Sequence, residues 1–167
     1  MKHTNQTEGT ENPPPEFYGE VHAPVYDKWY GEKGKIALSQ IGTAQEVANG
    51  IAVLADGGPI LELGVGTGRL ALPMADLGLD ITGLDSSPAM LKQLREKPSG
   101  DKIKIVEADM AMPSQLSNKS FSVVLVGFNT FFNLTTVERQ TSCIAEVARL
   151  LRPGGRFIVE ALSLIHI

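Results

Sequence analysis

The stretch from Pro59 to Leu70 constrains the fold of this chain more than any other. It reads PILELGVGTGRL, in which a short apolar run ends in three glycines at alternate positions and an apolar helical pattern begins at Leu70. An apolar run bounded by turn residues is typical of a buried parallel strand. Glycine is favoured where the backbone turns sharply or contacts a ligand, because it has no Cβ. The order of strand, glycine loop and helix therefore predicts a nucleotide-type site.

The spacing of the glycines distinguishes between nucleotide cofactors. A dinucleotide-binding loop has the pattern G-x-G-x-x-G. Here Gly64, Gly66 and Gly68 follow G-x-G-x-G, Arg69 occupies the position of the third glycine, and Glu62 precedes the loop by two residues. This E-x-G-x-G-x-G run resembles the first motif of the class I S-adenosylmethionine-dependent methyltransferases, whose cofactor has no pyrophosphate. An NAD(P)-dependent oxidoreductase remains an alternative, although Arg69 breaks its spacing.

A second short strand, residues 79–84, ends at Asp85, which lies 17 positions after Gly68. That is close to the offset at which a nucleotide site places its ribose-binding carboxylate. An ionised carboxylate has two acceptor oxygens for the two ribose hydroxyls. Ser87 can cap the next helix, with Pro88 at its first position. The segment from Asp85 to Leu91 is again similar to the methyltransferase family, and this resemblance adds Ser86 and Met90 to the cofactor-binding residues.

A third run, residues 102–107, alternates like a half-exposed edge strand and is followed by Asp109 and Met110. In the methyltransferases that it resembles, the acidic residue at this position accepts from the adenine amino group and the next backbone amide reaches the ring. By the same resemblance, Glu62 supports the loop or the cofactor amino group, Arg69 faces the cofactor carboxylate, and the Gly127 carbonyl accepts from the amino group. The implied cofactor is S-adenosyl-L-methionine.

The fourth strand, residues 120–127, is the most apolar and is predicted to be central. Ligands bind beyond the carboxyl ends of the strands in an α/β sheet. We therefore expect the aromatic and amide side chains that follow this strand to line the methyl-acceptor pocket. These residues are Phe128, Asn129, Phe131 and Phe132; ordinary core packing of the last two is the alternative.

An aromatic segment, Val25–Tyr30, resembles the N-terminal lead-in of small-molecule methyltransferases, where it covers the cofactor and substrate. The alternative is that these aromatics pack a helical layer onto the sheet. The sequence has no obvious catalytic cluster and no metal site, so the catalytic residues stay unknown; His22, Tyr26 and Tyr30 are the candidate bases.

Helix boundaries follow from capping patterns and apolar spacing. Thr43 and Glu46 form a capping box, with Val47, Ile51 and Leu54 on one face, and Thr135 is predicted to cap a later helix. On that later helix Ile144, Val147, Ala148 and Leu151 are expected to face the core, with Cys143 a small core residue. In the helix after the glycine loop, Leu70, Leu72, Met74, Ala75 and Leu77 are expected to be buried and Pro73 to cause a kink. A fifth strand is expected over residues 156–161, after a turn at 152–155.

Composition limits the function classes. The chain has 167 residues, a net charge of -4 and no basic run, so no nucleic-acid partner is indicated. No apolar stretch approaches the roughly 20 residues that span a bilayer. Its one cysteine excludes an internal disulfide and favours a reducing compartment, and a cytoplasmic location is expected. The oligomeric state stays open.

We expect an α/β fold, a Rossmann-like three-layer sandwich with a mostly parallel sheet that lacks the last strands of the seven-stranded methyltransferase fold. Residues 1–16 are predicted to be a disordered tail, 17–56 a helical cover segment and 57–161 an incomplete S-adenosylmethionine-binding core. Residues 162–167, LSLIHI, match the translation of a transposase sequencing adapter and are expected to be non-native. The predicted function is methyl transfer to an unidentified, small-molecule acceptor; an inactive or non-catalytic cofactor-binding fragment is the alternative.

Overall fold

One parallel sheet organises the computed structural model, which describes residues 17–30 and 42–161. Its strands are β1 (Ile60–Leu63), β2 (Ile81–Asp85), β3 (Lys104–Glu107), β4 (Phe121–Val126) and β5 (Leu151–Val159). The helices are α1 (Phe17–Tyr30), α2 (Ala44–Ala55), α3 (Ala71–Asp76), α4 (Pro88–Glu96) and α5 (Val137–Leu150), with short 3-10 turns at Gly100–Lys102 and Thr130–Asn133. The predicted features of residues 1–16 and 162–167 lie outside the described residues.

The strand order is β3-β2-β1-β4-β5, and all neighbouring pairs are parallel. The chain moves outward from β1 to β3 and then returns to the other side of β1, so the strand order reverses between β1 and β4. An α/β sheet binds its ligands beyond the carboxyl ends of the strands at such a reversal. The predicted fold class is confirmed, with β3 at the edge. β4 lies inside the sheet and is fully buried, but the middle position belongs to β1.

Two apolar clusters sandwich the sheet and give the three layers. On one face, side chains from α2, α3 and α4, such as Ile51, Met74 and Leu91, pack against β1, β2 and β4. On the other face, Cys143 and Val147 of α5 pack against the opposite sides of the same strands. Each strand of the centre is therefore covered on both faces, as its unbroken apolar sequence requires.

The structure corrects the predicted faces of α2 and α5. On α2 the buried residues are Ala48, Ile51 and Ala55, and Leu54 is exposed. On α5 they are Cys143, Val147 and Leu150, whereas Ile144 is 50% exposed and Leu151 already begins β5. Hydrophobicity alone favoured the larger side chains, but small alanines let α2 approach its neighbours closely. One residue along a helix rotates a side chain by about 100°, so a small error in phase changes the predicted face.

Several predicted boundaries are also wrong. Thr136, not Thr135, caps α5, and its hydroxyl accepts from the Arg139 amide. Pro73 is the third residue of α3, where its missing N–H has no helical partner, so the predicted kink does not follow. Leu77 follows this short helix and is exposed. β5 begins at Leu151 rather than Arg156. The predicted turn at 152–155 lies within the strand, as a shift of register between the Leu151–Phe121 and Arg156–Val123 pairs of β5 and β4. The Thr43–Glu46 capping box and the Ser87 cap are confirmed.

Candidate cofactor and acceptor site

A cavity of about 660 Å³, including its open mouth, lies beyond the carboxyl ends of β1, β2 and β3. Seven of the predicted cofactor-binding residues line it: Gly64, Gly66, Asp85, Ser86, Met90, Asp109 and Met110. Four others, Glu62, Gly68, Arg69 and Gly127, do not line it. The parallel strands bring these distant segments to one edge of the sheet, at the carboxyl ends of the strands, where ligand binding was expected.

The glycine loop contacts the cavity through Gly64 and Gly66. The φ of Gly66 is +55°, which L side chains rarely adopt, and a Cβ at this position would meet no atom within 4 Å. The loop therefore leaves open space above its backbone. Gly68 has a φ of +87°, but its missing Cβ makes room for Leu94 and Leu72, so it serves packing rather than the cavity.

Asp85 joins the glycine loop to the start of α4. Its Oδ2 accepts from the Gly66 amide at 2.8 Å, and its Oδ1 accepts from the Ser87 amide at 2.9 Å. Burial raises the pKa of Asp85, and these backbone donors oppose that rise. Each carboxylate oxygen can accept a second hydrogen bond, so Asp85 keeps acceptor capacity on its cavity side.

Glu62 lies in the core beneath the loop, with 3% of its surface exposed. Burial raises the pKa of this carboxyl to about 8, and the nearby Arg69 guanidinium opposes the rise. Within the described part of the chain, Glu62 Oε2 is buried without a hydrogen-bond partner. A buried polar atom without a partner is costly, and protonation of the carboxyl, which its raised pKa favours, lowers that cost because no charge is then buried.

Arg69 pairs with Glu160 rather than facing the cavity. Its Nη2 lies 2.8 Å from Glu160 Oε2, and the same oxygen accepts from the Phe128 amide at 2.6 Å. The Arg69 guanidinium also lies 5.3 Å from the Phe128 ring centroid. This ion pair uses one nitrogen of the guanidinium, and the predicted contact of Arg69 with the cofactor carboxylate stays a prediction. Glu160 was missed by sequence analysis, although an acidic residue at the end of a parallel strand was a usable signal.

The Gly127 carbonyl accepts from the Thr130 amide at 3.1 Å. This bond belongs to the turn that begins the loop after β4. The predicted role of Gly127 as an acceptor for the cofactor amino group would need the second lone pair of this oxygen, and it stays a prediction.

Asp109 is held from two directions at the β3 end of the cavity. Its Oδ1 accepts from the Ala111 amide at 2.9 Å, and its Oδ2 pairs with Arg139 Nη2 at 2.7 Å. Arg139, on α5, also lines the cavity. Sequence analysis missed Arg139, since nothing local links a residue of α5 to the loop after β3.

Helix α1 is attached to the glycine loop by a network that the sequence did not reveal. Asp27 accepts from the Thr67 hydroxyl at 2.7 Å and pairs with Lys97 Nζ at 2.6 Å. Lys97 Nζ also donates to the Thr67 carbonyl at 2.8 Å, and the Gln93 amide donates to the Ala23 carbonyl at 2.6 Å. These contacts place α1 beside the mouth of the cavity. Of the predicted cover segment, α2 packs instead in the core.

A second cavity adjoins the first. It has about 420 Å³ and is lined by Tyr26, Phe128, Asn129, Thr130 and Asn133. Two predicted acceptor-pocket residues, Phe128 and Asn129, are therefore placed there. Phe131 packs against the core on the α5 side, as the alternative interpretation expected, and Phe132 is 56% exposed.

The three candidate bases occupy different places along α1. Tyr26 lines both cavities. The Tyr30 ring packs on Phe128 with centroids 4.9 Å apart. The His22 ring lies edge-on to Trp29 and lines neither cavity. Of the three, Tyr26 is the one that lines these cavities.

A family model described as a methyltransferase domain matches residues 60–155, which contain the glycine loop and both acidic strand ends. The chain belongs to the class I S-adenosylmethionine-dependent methyltransferases. The matched residues include most of those that line the first cavity. S-adenosylmethionine is the cofactor of this family and of this domain. No helix within residues 17–30 and 42–161 has both the length and the apolar character to cross a bilayer.

Similar proteins share this assignment. The domain is 34% identical to the demethylmenaquinone methyltransferase of Renibacterium salmoninarum over 105 residues, which are 62% of this chain and 41% of that protein. It is 32% identical to a Streptomyces cypemycin N-terminal methyltransferase over 105 residues, covering 63% of this chain and 42% of the other. The chain thus spans about two fifths of these curated relatives.

Solved structures agree with the fold. The CcbJ methyltransferase from Streptomyces caelestis superimposes with a TM-score of 0.75 at 39% identity, covering 87% of this chain and 57% of CcbJ. The glycopeptide N-methyltransferase MtfA in complex with S-adenosyl-L-methionine gives a TM-score of 0.59 at 28% identity, covering 70% of this chain and 54% of MtfA.

Proposed function

We propose that the whole protein transfers a methyl group from S-adenosylmethionine to a small-molecule acceptor, and that the two adjoining cavities hold the cofactor and the acceptor. The observation that carries the proposal is the meeting of Gly66, Asp85 and Asp109, from the ends of three neighbouring strands, around the first cavity. This arrangement supplies an open backbone surface and two acidic side chains at the place where an α/β sheet binds nucleotides.

The residues present fit this cofactor. Gly66 leaves space for close approach of a ligand to the backbone, and Asp85 has acceptor capacity for ribose hydroxyls. Asp109 and the Met110 amide are assigned to the adenine. Glu62, whose Oε2 is buried beneath the loop, is assigned to support of the glycine loop, or of the cofactor amino group through a bridging water. Ser86 and Met90 complete the wall beside the ribose and base.

Bound S-adenosylmethionine supplies an electrophilic methyl group, and loss of that group turns the positively charged sulfonium into a neutral thioether. The chain therefore has mainly to align the acceptor and exclude water. Tyr26 lines both cavities. It lies on α1, and the hydrogen bond between the neighbouring Asp27 and Thr67 attaches this helix to the glycine loop. The Phe128 ring and the amides of Asn129 and Asn133 offer apolar contact and hydrogen bonds to an acceptor.

The names of similar proteins cover several kinds of acceptor, among them a lysine and the N-terminus of the protein eEF1A. They include methyltransferases named for demethylmenaquinone, for the N-terminus of cypemycin and for a glycopeptide. We propose a cytoplasmic location on the basis of the single, buried cysteine.

Calorimetric titration tests the proposal. This chain and the whole protein are titrated with S-adenosylmethionine, S-adenosylhomocysteine and NADH, and the whole protein is then screened for methyl transfer to small molecules. We expect both adenosyl ligands to bind and NADH not to bind. Tight binding of NADH would overturn the cofactor assignment. Binding by the whole protein without methyl transfer to any acceptor would favour a non-catalytic binding function.

A further inference from the structure

The Asp109–Arg139 pair stands at one end of the cofactor cavity, and both side chains are partly buried there. The Arg139 Nη2 to Asp109 Oδ2 distance of 2.7 Å is that of a charge-assisted hydrogen bond. Because the Ala111 amide holds the other oxygen at 2.9 Å, the plane of the carboxylate is fixed by a donor on each side. Each oxygen still has one acceptor site.

Helix α5 fastens the loop after β3 at a second point. The Ser142 hydroxyl donates to the Ala111 carbonyl at 2.8 Å. Ser142 lies three residues after Arg139, and side chains at this spacing lie on the same face of a helix. Arg139 itself is positioned by the start of α5, where the Thr136 hydroxyl accepts from its amide. The orientation of the Asp109 carboxylate is therefore set by α5 and not by its own loop alone.

An ionised carboxylate only accepts hydrogen bonds, so in a fixed orientation it can select between bases. Adenine presents an exocyclic amine, which donates, whereas the deaminated base presents a carbonyl oxygen at the same place. Two acceptors facing each other in a partly buried site are unfavourable, because a lost partner leaves a desolvated polar atom.

We propose that Arg139 is a positioning residue that makes the cofactor site selective for the amino form of the base, by holding Asp109 as an acceptor. This inference rests on the proposed function, in which Asp109 lies beside the adenine. It assigns to α5, which carries no recognised cofactor motif, a part in base recognition.

The test compares binding of S-adenosylhomocysteine with binding of S-inosylhomocysteine, in which a carbonyl replaces the adenine amine. For the unmodified chain we expect a preference for the adenosyl ligand of at least about tenfold. Arg139→Gln should reduce that preference several-fold, mainly through weaker binding of the adenosyl ligand, and Arg139→Lys should restore part of it. A general loosening of the fold would weaken both ligands and leave their ratio unchanged.

Arg149→Gln is the matched control, because it also removes an ion pair from α5, with Glu146, but does not line the cavity. It should leave the ratio unchanged. An unaltered ratio in Arg139→Gln would overturn the inference while leaving the proposed function intact. Failure of the unmodified chain to bind either ligand would overturn both.

If Arg139→Gln does not fold, Asp109→Asn provides the test. An asparagine amide both donates and accepts, so this variant should lose most of the preference. The part that stays comes from the Met110 amide, because the ring nitrogen beside the amine accepts in adenine and donates in the deaminated base. A full preference for the adenosyl ligand in this variant would contradict base selection by the Asp109–Arg139 pair.

Discussion

At the scale of single residues, Asp85 is the side chain on which most of the site depends. It accepts from Gly66 and Ser87, so it fixes the glycine loop and the start of α4 while lining the cavity. We expect Asp85→Ala to weaken binding of S-adenosylhomocysteine by about 1.5–3 kcal/mol, the value of hydrogen bonds to a charged group. Isothermal titration calorimetry measures this loss.

Asp80→Ala provides the control, because Asp80 lies at the opposite end of β2, where it pairs with Lys104. It should leave the affinity unchanged. Asp85→Asn should lie between the two, since one acceptor oxygen remains. An Asp85→Ala variant with the original affinity would remove Asp85 from the binding site.

Glu62 gives the free energy of unfolding a pH dependence. Burial raises its pKa from an ordinary 4.5 to about 8, so between these values the folded state keeps a proton that the unfolded state releases. Stability then falls as pH rises through this window, by up to about 1.4 kcal/mol per unit, and levels off above it. Glu62→Gln cannot ionise and should lose less stability between pH 5.5 and 8.

Urea unfolding of the ligand-free chain at several pH values measures this difference. Glu96→Gln, a change at an exposed glutamate of α4, should leave the pH dependence as it is in the unmodified chain. Parallel pH profiles for Glu62→Gln and the unmodified chain would show that the buried carboxyl does not titrate in this range.

At the scale of elements, α1 is held to the core by Asp27, which contacts Thr67 and Lys97. Its neighbour Tyr26 lines both cavities, so the Asp27–Lys97 ion pair holds the helix that forms this wall of the site. Because the pair is partly exposed, its contribution is modest. We expect Asp27→Asn to speed dissociation of S-adenosylhomocysteine about threefold to tenfold.

Stopped-flow fluorescence can follow this exchange, since Trp29, the only tryptophan, lies on α1. Lys97→Met should have an effect similar to that of Asp27→Asn. Lys92→Met is the control, because Lys92 lies on α4, which ends just before Lys97, and its ion pair within the described residues is with the exposed Glu96. Equal dissociation rates for Asp27→Asn and Lys92→Met would show that the network does not govern ligand exchange.

At the scale of the whole molecule, Cys143 reports on the opening of the core. Its thiol is buried between α5 and the sheet, and burial raises its pKa to about 11, so little thiolate is present at neutral pH. We expect Ellman's reagent to label it slowly in the native chain and rapidly in urea. Bound S-adenosylhomocysteine should slow labelling further, because a ligand that binds only the folded state stabilises it.

Cys143→Ala removes the signal and identifies any background reaction. Rapid labelling of the native chain would contradict the packing of α5 against the sheet. Labelling that is slow but insensitive to saturating ligand would mean that α5 opens without disturbing the cavity.

The sequence alone determined the strand and glycine loop within residues 59–70, the helix that follows them, and the positions of Asp85 and Asp109 at strand ends. These features are local, because glycine spacing, apolar runs and caps act over a few residues. Parallel pairing then brings successive strand ends to one edge of the sheet, so a single rule placed three separate segments around one cavity.

Only the tertiary structure decided which charged groups meet. Arg69 pairs with Glu160, Asp27 with Thr67 and Lys97, and Asp109 with Arg139. The residues in these contacts are separated by 30 to 91 positions along the chain, so no local pattern connects them. Only the tertiary structure also decided which face of α5 is buried, because a shift of one residue along a helix turns the side chain by about 100°. Local backbone preferences encode the elements, whereas the partners of long side chains are fixed only when the elements pack.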